Sequence, residues 1–125
     1  MAHDNIDGIY SLPAAADLTA SQFHFGVIDG TGKIAQCGAG AMADGRIDNA
    51  PASGEQCRLI GRTGVVLKIK AGAAVALGAY VHSDSTGRAI TSATAGHQRL
   101  GKALRAASAA GEMIEVYRKD YGANP

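Results

Sequence analysis

The sequence predicts an all-β fold: a small β-barrel or β-sandwich of about eight or nine short strands with an extended N-terminal arm. Three observations predict it. Short apolar runs alternate with period two, turn-forming Gly, Asp, Asn and Ser clusters separate them at close spacing, and no segment keeps a helical period over three turns.

The elements follow in order. Residues 1–20 make the arm. Leu12-Pro13 interrupts regular structure, and residues 14–20 have room for one helical turn with Asp17 or Thr19 as a local cap. In Gln22-Phe23-His24-Phe25-Gly26-Val27-Ile28 the side chains of Phe23, Phe25 and Val27 share a face, as in a strand. Asp29-Gly30-Thr31-Gly32 is a turn, and residues 33–37 return as the second arm of a hairpin. Residues 46–49 form a short strand that ends at Ala50-Pro51. Residues 56–62 and 65–70 read as a second hairpin-like pair around residues 61–64. Short strands follow at 75–77, 80–82 and 88–91. The last two strands are residues 98–104 and 112–118, and residues 119–125 are a C-terminal tail. The domain proper is therefore 21–118.

The chain also echoes itself. Val27-Ile28-Asp29-Gly30-Thr31-Gly32-Lys33 resembles His82-Ser83-Asp84-Ser85-Thr86-Gly87-Arg88, and residues 45–55 resemble residues 101–112. The offset drifts only from 55 to 57 residues. Two copies of one β unit sharing a core would produce this, as would a Gly/Ala-rich chain that repeats its turns.

Composition narrows the function. A chain of 125 residues suits one domain. It holds 17 glycines and no tryptophan, so its core is built from small side chains and self-association offers further burial. A net charge of +1 argues against nucleic-acid binding, which needs clustered cations. The basic stretch from Arg99 to Arg105 reads as a solvated strand face. Cys37 and Cys57 are too few for a disulfide framework and match no zinc spacing, which suits a reducing compartment. The first residues lack the basic start and apolar run of a signal peptide, and no stretch nears the ~20 apolar residues of a membrane span. The expected origin is the cytoplasm, or an assembly built there, with no membrane partner.

No motif carries catalysis convincingly. Gly38-Ala39-Gly40-Ala41-Met42-Ala43 has the spacing of a dinucleotide loop, but Asp44-Gly45 follows at once and no helix is available to hold a pyrophosphate. His3, His24, His82 and His97 are isolated, so a metal or general-base site needs the fold to gather them. Asp29, Asp84, Glu55 and Glu112 sit at turns, where a carboxylate normally caps its own backbone. Cys37 lacks a neighbouring base and reads as a small core residue. No cofactor is expected and no enzyme is predicted. Two rivals stay open. One is a small β enzyme with an inter-subunit site where His82, His97 and acids converge. The other is a carrier domain: residues 65–81 resemble the strand–turn–strand of biotinyl and lipoyl carriers, although residues 83–87, at the tip, hold no lysine.

A resemblance covers residues 12–118. Its pieces are residues 12–22, Asp29-Gly30-Thr31-Gly32-Lys33, residues 49–55, residues 64–72, residues 84–89, and residues 100–104 with 109–116. In their order and spacing they resemble the capsid decoration, or cement, proteins of tailed bacteriophages. The resemblance implies a compact β fold on the outside of an expanded head, bound to the major capsid protein and often trimeric. Such a protein clamps neighbouring capsomers without catalytic residues, and avidity multiplies its modest contacts. It belongs on the virion and is made in the host cytoplasm. The expected capsid-binding residues are Ile6, Ile9, Tyr10 and Leu12, apolar groups on a polar arm that orders on docking.

Overall fold

The computed structural model describes residues 4–125, and the described residues contain no helix. Ten strands build two five-stranded antiparallel sheets. The first holds β1 (Ile9–Pro13), β2 (Phe25–Ile28), β3 (Ile34–Gln36), β4 (Gly45–Ile47) and β5 (Gln56–Ile60), in the order β1-β5-β4-β2-β3. The second holds β6 (Val65–Lys70), β7 (Tyr80–Ser83), β8 (Ala89–Thr91), β9 (Gln98–Ala103) and β10 (Met113–Ala123), in the order β6-β10-β9-β7-β8. All-β is therefore right. The architecture is a pair of sheets, not a closed barrel.

The two sheets have the same topology, and the internal echo is its sequence trace. In each sheet a single parallel bridge joins the two edges, Ala14 to Ile34 in the first and Ala71 to Ala89 in the second. The cores correspond position by position. Ala14, Leu18, Ile34, Ile47, Cys57 and Leu59 are buried in the first repeat. Their counterparts Ala71, Val75, Ala89, Ala103, Ile114 and Val116 are buried in the second. Alternation explains the inward sets: along β10, Ile114, Val116 and Arg118 are buried while Met113 is exposed.

The repeats are joined rather than strung out. Phe25, Cys37 and Ala43 of the first repeat are buried in the second repeat's core cluster. Two buried arginines cross the junction in opposite directions. Arg46 donates to the Lys68 carbonyl (3.1 Å) and pairs with Asp48 (2.6 Å). Arg118 donates to the carbonyls of Leu100 (2.9 Å) and Ala43 (3.0 Å) and pairs with Asp120 (2.6 Å). A guanidinium can serve several carbonyls at once, which suits it to tying sheets together.

Six expectations need correction. The strand expected from Gln22 starts at Phe25, since Phe23 turns the chain with φ +67°. Residues 75–77 form no strand, only a single bridge from Val75 to Ala107. The expected arm is partly sheet: β1 pairs along its length with β5, from Ile9 opposite Ile60 to Pro13 opposite Gln56. Pro13 closes an edge strand, where a missing N–H costs nothing. Residues 14–20 form no helical turn; the Ala14 and Ala15 amides go instead to the Glu55 and Ile34 carbonyls. Residues 56–62 and 65–70 are not a hairpin. β5 pairs with β1 and β4, β6 pairs with β10, and the glycines between them link the repeats. β10 runs to Ala123 past an irregularity between Arg118 and Gly122, so most of the expected tail is strand.

Candidate functional site

The arm residues separate into two groups. Ile6 is 94% exposed and precedes the first strand. Ile9, Tyr10 and Leu12 lie in β1, and Tyr10 and Leu12 pack against the first core. The segment before β1 is turned by Asn5, whose side-chain amide donates to the Ile9 carbonyl (2.7 Å) while its oxygen accepts from the Gly8 amide (3.2 Å). Ile6 is thus the most exposed of the four, Ile9 is half-buried, and Tyr10 and Leu12 are held against the core.

The structure brings two of the four histidines together. His3 lies outside the described residues. His82 and His97 meet with Nδ1 atoms 3.2 Å apart and rings edge to face. His82 Nδ1 also lies 3.0 Å from the Ser83 carbonyl. Burial, helped by His97, pulls His82 down toward the neutral form. His24 sits apart, its Nδ1 2.6 Å from the Thr86 carbonyl, and burial lowers its pKa as well. No group of three His, Cys, Asp or Glu side chains converges among the described residues. Asp84 is near enough to act on His82 electrostatically but completes no such group with the pair.

The remaining candidates are structural in geometry. Burial pushes the Cys37 thiol up, and its Sγ–H faces the Gly38 and Ala41 carbonyls at 3.5 Å each. Cys57 is pushed up to about 11 by burial in the other core. Both therefore stay protonated thiols at neutral pH, the inert state of cysteine. The glycine-rich loop from Gly38 to Ala43 leads into β4, not into a helix. Gly40 has φ +65°, and a Cβ there would meet the His97 ring, so this glycine serves close packing between the repeats.

The turn acids build two copies of one device. Asp29 Oδ1 accepts from the amides of Thr31 (2.9 Å) and Lys33 (3.0 Å) and from the Thr31 hydroxyl (2.7 Å). Asp84 Oδ1 accepts from the amides of Thr86 (2.9 Å) and Arg88 (2.9 Å) and from the Thr86 hydroxyl (3.0 Å). The hydrogen bonds from Thr31 and Lys33 hold Asp29 below the usual carboxylate range. For Asp84 burial pulls upward, and the bonds from Arg88 and Thr86 outweigh it. The two turns differ in surroundings. Residues 30–33 are exposed. The second turn is seated on the first repeat: the Phe25 amide donates to the Gly87 carbonyl (2.6 Å), and a Cβ at Gly87 would stand 2.6 Å from the Phe25 oxygen. The tip that a carrier domain would present is therefore docked, and it holds no lysine.

The outer face of the second sheet went unread in the sequence. Tyr80 stacks edge-on against Tyr121 with centroids 4.9 Å apart. Arg99 and Lys102 stand over the Tyr80 ring at 5.0 and 5.8 Å. Leu77 and Leu104 are exposed close by, at 69% and 46%. The signal that could have found this face is charge by halves. Residues 1–60 hold three Lys and Arg against seven Asp and Glu, a net of −4, while residues 61–125 hold nine against four, a net of +5. The near-neutral total hides a dipolar molecule.

Comparison with known proteins bears on this arrangement of paired sheets, in which no metal-binding group of three His, Cys, Asp or Glu side chains assembles among the described residues. The family model for phage cement proteins matches residues 10–118. The chain belongs to the phage cement protein family. Its role is therefore structural, in decorating and stabilising a phage capsid. The same fold occurs in the head fiber gp8.5 N base of bacteriophage phi29, with a TM-score of 0.74 at 13% identity over 89% of this chain and 94% of that one. No curated protein matches the cement chain.

Proposed function

We propose that this cement protein binds the major capsid protein on the outside of an expanded head, as a homotrimer that clamps neighbouring capsomers. It is made in the host cytoplasm and carried on the virion, and it performs no catalysis. The family match over nearly the whole folded region is the observation that carries the reading. The charge split supports it, since a dipolar protein approaches a charged shell in one orientation. So does Ile6, a fully presented apolar side chain ahead of an edge strand.

The capsid contact is read at the N-terminal segment. Ile6 enters the shell surface, while Ile9, Tyr10 and Leu12 hold β1 in place so that its outer edge faces the capsid protein. An exposed strand edge can accept a strand from a partner. Co-sedimentation with expanded heads tests this. Ile6→Asp should weaken binding about tenfold, in keeping with the loss of one buried aliphatic side chain, and leave the melting temperature unchanged. Binding equal to that of the unaltered chain would remove Ile6 from the contact.

A further inference from the structure

The two repeats dock asymmetrically, and the asymmetry leaves one knob and one socket unused. Inside the chain the knob is the second repeat's turn, residues 84–87, and the socket is His24 and Phe25 of the first repeat. Phe25 is fully buried there. By the repeat correspondence the equivalent knob is Asp29-Gly30-Thr31-Gly32, which has the same internal hydrogen bonds. That turn is seated on nothing: a Cβ added at Gly30 or Gly32 meets no atom within 4 Å. The equivalent socket is Ala79 and Tyr80, at the start of β7. An aromatic ring again occupies the key position, but Tyr80 is 38% exposed.

We propose that the free knob of one copy of this chain docks on the free socket of a second copy, with the Tyr80 amide meeting the Gly32 carbonyl as Phe25 meets Gly87 within one chain; Ala79 offers no counterpart to the His24 imidazole. Electrostatics favour this pairing. The free knob belongs to the half with net charge −4, the free socket to the half with net charge +5, where Arg99 and Lys102 flank the Tyr80 ring. The exposed Leu77 would gain cover from the same contact. A knob-to-socket contact is heterologous: each copy uses two different surfaces. Such contacts close into rings or run on as filaments. Three copies closing a ring would alternate internal and external junctions around six repeats. The proposal rests on the trimer reading above and is independent of what the capsid partner is.

The test is a pair of one-sided variants studied by light scattering. Gly30→Arg blocks the knob, and Ser85 at the equivalent turn position shows that a side chain is compatible with this backbone. Leu77→Glu blocks the socket by putting a carboxylate on its apolar rim against a half-chain of net charge −4, with Lys102→Glu as a second socket variant. Thermal melting checks that each variant folds. The unaltered chain should run near 38 kDa, three times 12.7 kDa, and each variant alone near 12.7 kDa. An equimolar mixture of knob-blocked and socket-blocked chains should form a dimer and stop there, because one intact knob meets one intact socket. An isologous interface cannot give this pattern. An oligomer unaffected by folded variants, or a mixture that stays monomeric, would overturn the docking mode. A monomeric unaltered chain would sink the trimer reading and this proposal with it, whereas loss of capsid binding alone would touch neither.

Discussion

At the scale of single residues, buried polar groups carry the most consequence. Arg118 is almost fully buried and serves two carbonyls and a carboxylate, one of them across the repeat junction. Arg118→Ala leaves those acceptors without a donor and opens a void, and should cost about 3 kcal/mol in urea unfolding. The histidines set a pH dependence. His24 and His82 have folded pKa values below 6.5, held down chiefly by burial. The unfolded chain therefore binds more protons than the folded one as pH falls through 6.5, and stability falls with it. The melting temperature should drop between pH 7 and pH 5, and His82→Asn should flatten part of that drop. Below about pH 4 the depressed carboxylates add to the loss in the same direction, since their contribution exists only above the unfolded carboxylate pKa. None of this was legible in sequence, because a lone histidine or arginine does not announce its burial. The turn carboxylates were legible, because Asp-x-Thr-Gly closes its own hydrogen bonds locally.

At the scale of elements, alternation and turn chemistry read well where they are local. The turn Asp29-Gly30-Thr31-Gly32 and the pairing of β2 with β3 stand where they are predicted, but β2 starts at Phe25 and not at Gln22, because Phe23 has φ +67° and lies in the turn before the strand. Pairing across long separations was not readable. Residues 61–64 look like a hairpin turn, but β5 finds its partners in β1 and β4. β1 was missed because Leu12-Pro13 suggests a break, and only the opposing β5 turns that segment into an edge strand. The duplicated turns offer a direct comparison. Gly32 and Gly87 both have positive φ, at +77° and +87°. Gly32→Ala should cost about 1 kcal/mol from backbone strain alone. Gly87→Ala adds a collision with the Phe25 carbonyl and should cost at least twice as much in the same chemical-denaturation assay. Equal costs would show that the second turn is not seated as described.

At the scale of the whole molecule, two small cores are fused through one junction. The first is assembled from Ala, Ile, Leu and Cys, and the second adds Val and Phe25, which among the described residues is the one fully buried aromatic side chain of Phe or Tyr type. Small side chains bury little apolar area each, so such a body gains modestly from its own interior, and binding to a neighbour adds to its stability. The internal echo reached the duplication, and the order of turn-plus-strand phrases reached the family. The charge split by halves marks the half that carries the Tyr80 face, but the face itself went unread, because its meaning depends on which of two equivalent surfaces the fold covers. Capsid decoration is tested by cryo-electron microscopy of expanded heads stripped of decoration protein and then incubated with this chain. Saturable density should appear on the outer surface at threefold or quasi-threefold positions, and the heads should resist heating better than bare ones. Bare shells at saturating protein, with no gain in head stability, would contradict that role.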